Sequence, residues 1–265
     1  MGEIWREHKG FGRQIRMLAK LELKTMFKGS VLGSAWAVVK PVITLLMFWF
    51  TFVVGIRASG MVAGFPRFDF MLVGFVPWFF MSDSIRDGAK CIRSNAQYVT
   101  KVSFPVSTVM TFTGLSRFYI HIGLMALMYG YLLCMGYGVD VYQLQVLFYA
   151  PLMLLFFLAL SWTTASWSVF SKDFLNLLRS LLTGLFWMSG IVWNSYEVEN
   201  PWLRKAMLLN PVNFFANGYR KAFLYREWFW EDPLELGIFL AELAFLLVFG
   251  AWQYRRLRKD MADVL

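Results

Sequence analysis

"LGSAWAVVKPVITLLMFWFTFVVGI", residues 32–56, contains only one charged side chain, Lys40. A transmembrane helix needs about 20 consecutive, mostly apolar residues, so this stretch is long enough to cross a bilayer. Five later stretches meet the same criterion. The six predicted spans are residues 32–56, 68–87, 106–135, 142–170, 174–193 and 234–254. The sequence therefore predicts an all-α integral membrane protein.

The composition points the same way. Of the 265 residues, 58% are hydrophobic and 16% are charged, and the mean hydropathy is +0.51. Soluble domains contain about 25% charged residues. No segment is typical of a soluble domain, so we expect residues 1–265 to form one membrane domain.

The basic residues indicate the orientation of the spans. Lys and Arg are concentrated before the first span, between the second and third, and after the sixth. The loops on the other side have fewer basic residues or balance them with acidic ones. Because an excess of Lys and Arg marks cytoplasmic loops, both termini, including a tail over residues 255–265, are predicted to be cytoplasmic. The net charge of +9 then follows from topology, and no nucleic-acid partner is needed to explain it.

The segment before the first span, residues 1–30, is predicted to contain a helix over residues 11–28 that lies in the membrane interface. Phe11, Ile15 and Leu18 share one face of this helix. The basic residues on the opposite face are Arg13, Arg16, Lys20 and Lys24. Such a helix places its basic side toward lipid headgroups or phosphate, and the same charges also anchor the topology.

A second amphipathic pattern lies in the cytoplasmic segment "RDGAKCIRSNAQYVTKVSFP", residues 86–105. Ala89, Ile92, Ala96 and Val99 recur at helical spacing. Pro105 bars a regular continuation, so a short helix should end shortly before it. A compact helix between two spans suits docking into a groove on another protein.

Motifs for independent chemistry are missing from the sequence. It contains no GxxxxGK[ST] phosphate loop, no HExxH motif and no GxSxG motif. We therefore predict that the chain is not an enzyme and binds no cofactor itself. Thr113, Arg117 and His121 share a face of the third span. Arg117 is either a structural charge satisfied inside the bundle or a contact for an anionic substrate.

Four motifs, in order, resemble a known family. They are "FKGSVLGSAWAVVKPVITLLMFWFTFVVGIR" (27–57), "FMLVGFVPWFFMSDSI" (70–85), "NAQYVTKVSFPVSTV" (95–109) and "LNPVNFFANGYRKAFL" (209–224). The chain resembles the membrane subunit of type-2 ABC exporters that move lipid-linked polysaccharides. The resemblance is greatest to teichoic acid exporters, with O-antigen and capsule exporters next. Lys40 departs from the uncharged polar residue expected before Pro41.

The resemblance implies a homodimer of six-span subunits that binds two copies of a cytoplasmic ATPase, which hold ATP and Mg²⁺. The substrate implied is an undecaprenyl-pyrophosphate-linked polymer, moved outward across the bacterial cytoplasmic membrane. The family's coupling helix corresponds to residues 93–100. Its predicted contacts with the ATPase are Arg93, Ser94, Asn95, Gln97, Tyr98, Val99 and Thr100. The residues predicted to admit the pyrophosphate lipid are Arg13, Arg16, Lys20, Lys24 and Arg117.

The stretch "LNPVNFFANGYRKAFLYREWFW", residues 209–230, is too apolar for an ordinary loop and too charged for a span. The resemblance implies that residues 197–232 form helices that dip into the membrane from outside and turn back. Pro201 and Pro211 can each open such a helix, and Arg220 and Lys221 are expected near water. The predicted outer-gate residues are Asn210, Pro211, Phe214, Phe215, Tyr219 and Arg220.

Two other functions remain open at this point. One is a type-2 ABC exporter of a drug or a simple lipid. The other is a membrane glycosyltransferase or phosphotransferase that uses a polyprenyl lipid. A transferase of that kind would need an acidic metal-binding cluster on a cytoplasmic loop, and Asp83 and Asp87 alone are insufficient for one.

Overall fold

The structure, a computed structural model, describes residues 2–58, 60–100 and 104–265, which are almost entirely helical. The helices are α1 (Gly2–His8), α2 (Gly12–Met26), α3 (Trp36–Phe50), α4 (Arg67–Ser94), α5 (Ala96–Thr100), α6 (Val106–Cys134), α7 (Val146–Phe170), α8 (Lys172–Met188), α9 (Pro201–Leu208), α10 (Pro211–Arg220), α11 (Pro233–Leu257) and α12 (Met261–Val264). The strands β1 (Met61–Val62) and β2 (Phe65–Pro66) pair as a small antiparallel hairpin.

Within the described residues, five helical stretches are long and apolar enough to cross a membrane. They are Gly33–Gly55, Arg67–Ser94, Val106–Cys134, Val141–Phe170 and Pro233–Leu257. They coincide with five of the six predicted spans and confirm an all-α membrane protein. The remaining candidate, α8, has only 17 residues. At 1.5 Å per residue it is about 26 Å long, shorter than the roughly 30 Å hydrocarbon core.

Helix α4 forms the centre of the bundle, with α6, α7 and α10 packed against it and α11 packed on α7. In the most apolar part of α4, 72% of the residues are buried inside the protein. In the corresponding part of Gly33–Gly55, which contains α3, only 6% are buried. Helix α8 is also peripheral, with Leu177, Leu181 and Trp187 exposed. Two apolar helices therefore present much of their surface outward.

The N-terminal segment is two helices, because a turn at Gly10, where φ is +87°, separates α1 from α2. Glu7 fixes α1 to the bundle. Its carboxylate accepts from the Ser107 backbone N–H at 3.2 Å and from the Tyr254 hydroxyl at 2.9 Å, and it also pairs with Arg258. Arg258 further bonds Glu3 at 2.8 Å. The predicted C-terminal tail is thus held against α1.

Candidate functional site

A cavity of about 670 Å³ opens between the end of α2, α3, α4 and α6. Its charged lining residues are Lys40, Asp83, Arg86, Asp87, Lys90 and Arg117. Four cations and two carboxylates line it, so this charged cavity has a net positive lining.

Arg117 lies at the back of the charged cavity and is only 8% exposed. Its Nε is 2.7 Å from Asp87 Oδ2, an ionic contact without hydrogen-bond alignment. Its Nη2 is 3.6 Å from Glu22 Oε1. Glu22 also accepts a hydrogen bond from the Thr113 hydroxyl at 2.9 Å. Arg117 therefore ties together α2, α4 and α6.

The predicted shared face of Thr113, Arg117 and His121 is confirmed, since all three side chains are buried. Sequence reasoning missed the partners of this face. Glu22 belongs to neither face predicted for the helix over residues 11–28, and the sequence suggests for Asp87 only an insufficient metal site with Asp83. Burial raises the pKa of the Glu22 carboxyl, although the Arg117 guanidinium opposes that shift.

Asp87 is shared by three cations. Besides Arg117, its carboxylate lies 2.9 Å from Lys90 Nζ and 3.6 Å from Arg86 Nε. Arg86 also pairs with Asp83. The side chains of Arg86 and Lys90 are 37% and 42% exposed, so they can reach an incoming group. Arginine binds phosphate well because its planar fork donates two parallel hydrogen bonds.

An apolar groove of about 190 Å³ adjoins the charged cavity between α3, α4 and α6. The groove and the cavity share Pro41, Phe79 and Leu124. Most of the other groove residues are aliphatic, among them Val42, Leu46, Leu72, Val76 and Leu127. The two together form an amphipathic site that can hold an anionic headgroup beside a hydrocarbon chain.

The basic face predicted on α2 is present. Ile15 and Ala19 of α2 are buried, whereas the basic side chains Arg13, Arg16, Lys20 and Lys24 are all exposed. None of these four lines the charged cavity. Their arrangement suits contact with headgroups, and their contact with pyrophosphate stays a prediction.

The predicted coupling helix is shorter than residues 93–100. Helix α4 continues to Ser94 and ends there. Asn95 caps it, and its Nδ2 donates to the Cys91 carbonyl at 3.0 Å. Arg93 and Ser94 therefore belong to α4, and Arg93 donates to the Val169 carbonyl at 2.7 Å. The boundary prediction was wrong because the amphipathic stripe runs through Asn95 without interruption.

Helix α5 presents two different faces. Tyr98 packs against Phe104 and Phe112, with ring centroids 5.6 Å and 5.9 Å away, and Val99 packs into the same cluster. Gln97 and Thr100 are exposed. The exposed side is the one available to a partner. Lys101, one of the basic residues between the second and third predicted spans, lies outside the described residues.

The helices within residues 197–232 begin as predicted. Pro201 and Pro211 occupy the first turns of α9 and α10, and Asn200 and Asn210 accept hydrogen bonds from the following backbone N–H groups as N-caps. Asn210 also donates to the Ser189 hydroxyl at 2.9 Å. Helix α9 is largely exposed, whereas α10 is buried along most of its length.

The predicted gate residues of α10 lie in the core. Phe214 stacks on Phe239 with centroids 4.0 Å apart, and the Tyr219 hydroxyl is 2.6 Å from His121 Nε2. Phe215 and Arg220 are fully buried. A role for these side chains in an outer gate stays a prediction.

Arg220 and Lys221 do not lie near water, contrary to expectation. Arg220 is 0% exposed, and its guanidinium donates to the carbonyls of Gly190, Ile191 (2.6 Å) and Phe70 (3.4 Å). The Arg220 Cζ lies 3.6 Å from the centroid of the Phe70 ring. Burial lowers the pKa of Arg220 to about 10, so the side chain stays protonated near neutral pH. Lys221 is buried against Glu235, with Nζ and Oε2 2.6 Å apart.

Arg220 also accounts for the early end of α8. The chain leaves the helix after Met188 and continues as irregular, buried backbone over residues 189–192. Irregular backbone at membrane depth is stable only where its polar groups are satisfied within the protein. The guanidinium supplies donors to two of these carbonyls. A Cβ at Gly74 would meet Ile191 O at 2.9 Å, and one at Gly190 would meet Asn213 Oδ1 at 2.9 Å, so both positions need glycine.

These features define a multi-span integral membrane protein with an amphipathic, anion-attracting site. The chain belongs to the ABC-2 type transporter family, whose family model matches residues 13–224. It is 30% identical over 240 residues to the O-antigen export system permease protein RfbA of Myxococcus xanthus, covering 88% of each chain. It is 27% identical over 94 residues to a protein of the same name from Klebsiella pneumoniae, covering 35% of this chain and 34% of that protein.

Proposed function

We propose that this chain is the permease subunit of an ATP-driven exporter of lipid-linked cell-surface polysaccharide. Its substrate would be an undecaprenyl-pyrophosphate-linked polymer of the O-antigen or teichoic acid kind. The observation that carries the proposal is the 30% identity with an O-antigen export permease over 88% of both chains. O-antigen is therefore the better supported of the two polymers.

The amphipathic site supports a substrate of this chemistry. A pyrophosphate would occupy the charged cavity, where Arg86, Lys90 and Arg117 are available. The first isoprene units would follow the adjoining apolar groove. The exposed basic face of α2 would gather the anionic headgroup from the inner leaflet, since each basic residue near an anionic surface contributes about 1 kcal/mol. The sugar chain would then pass through the protein interior while the lipid stays at its edge.

The energy would come from a separate subunit, because the sequence has no phosphate loop. Two copies of a cytoplasmic ATPase would bind ATP and Mg²⁺ and dock against the exposed side of α5 in each of two permease subunits. The outward apolar faces of α3 and α8 suit contact with a second copy of the chain. Large exposed apolar surfaces of this kind mark interaction sites in soluble proteins, and within a bilayer close packing of helices supplies the attraction.

The proposed topology has six crossings in the bacterial cytoplasmic membrane. Helix α8 and the irregular residues 189–193 would together form the fifth crossing. Helices α9 and α10 would dip into the outer leaflet. Both termini then face the cytoplasm, which agrees with the cluster Arg255, Arg256, Arg258 and Lys259 at the end of α11.

Deleting the gene for this chain in its host tests the proposed function. Cells without it should lose the surface polysaccharide and accumulate the undecaprenyl-pyrophosphate-linked polymer on the cytoplasmic side. Re-expression should restore both. The measurement is surface polymer by immunoblot together with lipid-linked intermediates by mass spectrometry. Unchanged polymer accompanied by altered drug tolerance would instead identify a drug exporter.

Coupling to the ATPase can be tested on the exposed side of α5. Gln97→Arg combined with Thr100→Arg should reduce co-purification of the ATPase about tenfold, since bulky charges at the centre of an interface remove its main contacts. Tyr98 and Val99 are unsuitable for this test because they pack inside the protein.

The matched control is Gln14→Arg, the same type of substitution at an exposed position of α2. It should leave co-purification unchanged. If the double variant retains its ATPase and its polymer-stimulated ATP hydrolysis, α5 is not the docking element.

A further inference from the structure

An open cleft of about 540 Å³ lies where the β1–β2 hairpin meets the segments on either side of α9 and α10. It is lined by Ala63, Asn194, Tyr196, Lys221, Tyr225, Glu227, Glu231 and Asp232. In the proposed topology all of these segments face the outside of the cell. None of the predicted gate residues lines this outer cleft.

Two tyrosines form the aromatic part of the outer cleft. The ring centroids of Tyr196 and Tyr225 are 6.5 Å apart, with the planes at 57°, and Tyr196 is 40% exposed. The Tyr225 hydroxyl is buried and has no hydrogen-bond partner among the described residues. Buried hydroxyls are nearly always paired, so this one has an unmet hydrogen bond, which a ligand in the cleft would satisfy after a small shift of the side chains that cover it. Burial raises the pKa of Tyr225, which keeps its proton available for donation.

The polar lining of the outer cleft has more hydrogen-bond acceptors than its own donors use. Glu231 uses Oε1 to accept from the Trp228 backbone N–H at 3.2 Å, and Asp232 uses Oδ1 to accept from the Glu235 N–H at 3.1 Å. Each carboxylate has a second oxygen for a ligand. The lysine of the lining, Lys221, is engaged by Glu235. The outer cleft is therefore acidic, and it repels phosphate groups.

Backbone strain is concentrated at the same place. Ala63 lines the outer cleft with φ +50°, and Arg226, between Tyr225 and Glu227, has φ +58°. Non-glycine residues in this region cost of order 1–3 kcal/mol and cluster at ligand sites. Arg226 is held by Asp140, with Nε and Oδ2 3.1 Å apart. That ion pair fixes the orientation of the tyrosine and glutamate on either side.

We infer that the outer cleft binds neutral or amino-bearing sugar units of the exported polymer as they emerge on the outer face. The Tyr196 ring would stack on a pyranose face, the Tyr225 hydroxyl would bond a sugar hydroxyl, and the second carboxylate oxygens of Glu231 and Asp232 would bond its neighbours. A ring plane with a few directed polar groups is the usual composition of a small-molecule site. The inference rests on the proposed function and narrows its substrate to a saccharide that is not rich in phosphate.

The test measures ligand binding to the permease in nanodiscs by saturation-transfer NMR. One probe is the lipid-free oligosaccharide released by mild acid from the host's own surface polymer. The other is polyglycerol phosphate of similar length. The oligosaccharide should bind and polyglycerol phosphate should not. Tyr196→Ala should weaken oligosaccharide binding about tenfold, and Tyr225→Phe about fivefold.

Tyr225→Phe separates binding from folding, because deleting an unpartnered buried hydroxyl should leave the melting temperature unchanged or higher. Trp202→Ala, an outer aromatic that does not line the cleft, is the control and should bind normally. Equal binding by Tyr196→Ala and the native protein, binding of polyglycerol phosphate, or no binding of the oligosaccharide at all would each overturn the inference. The polymer export measured in the deletion strain tests the proposed function separately, whatever the outer cleft binds.

Discussion

Replacing Arg220 with methionine should destabilise the folded protein. The native guanidinium donates to the carbonyls of Phe70, Gly190 and Ile191 in a site with no exposure to solvent. Each buried carbonyl left without a donor costs about 1–3 kcal/mol. A total loss of about 3 kcal/mol is a large part of a typical stability of 5–15 kcal/mol and should lower the melting temperature by about 6–12 °C.

Arg204→Met is the matched control. Arg204 also donates to a backbone carbonyl, that of Val198, at 3.0 Å, but it is exposed, so water can replace it. This variant should melt within about 2 °C of the native protein, as expected for a surface substitution. Thermal denaturation in detergent, followed by fluorescence-detected gel filtration, compares the two. Equal melting temperatures would mean that Arg220 does not hold the irregular backbone after α8.

The sequence predicted the elements whose determinants are local. Length and apolarity located five candidate spans. Four of them agree within three residues at each end, whereas α4 continues to Ser94, beyond the predicted end at residue 87. Pro201 and Pro211 marked the beginnings of α9 and α10, since proline fits the first helical turn. The amphipathic pattern of α2 correctly separated the buried Ile15 from the exposed basic face.

The sequence could not predict contacts that depend on distant segments. Insertion scales treat an arginine as an isolated charge, so Arg220 was expected near water. Three carbonyls from residues 29 to 150 positions away in the sequence make its burial possible. The end of α8 was misplaced for the same reason, because Gly190 and Ile191 look like a continuation of the apolar helix. Glycine at positions 74 and 190 was the available signal, but glycine alone does not reveal what approaches it.

Replacing Arg117 with methionine should destabilise the protein, and here folding and transport can be separated. The single change leaves the Glu22 carboxylate without its cationic partner, whereas Asp87 keeps Lys90 and Arg86. An unpaired buried charge costs about 3–5 kcal/mol. Adding Glu22→Gln removes that charge and leaves the net charge of the site unchanged. Neutral groups of similar shape often match a buried ion pair in stability, so the Arg117–Glu22 double variant should fold nearly as well as the native protein.

The Arg117–Glu22 double variant should fold but lose at least about tenfold of the ATPase stimulation by undecaprenyl-pyrophosphate oligosaccharide, because the phosphate loses a charged contact of more than about 1.4 kcal/mol while the net charge of the site stays the same. The assay uses the permease reconstituted with its ATPase. The control is Arg258→Met with Glu7→Gln, which neutralises another pair of one arginine and one carboxylate outside the charged cavity. It should fold and retain stimulation. Equal stimulation of the two double variants would show that Arg117 only joins helices, and the charged cavity would then lose its role in binding the substrate.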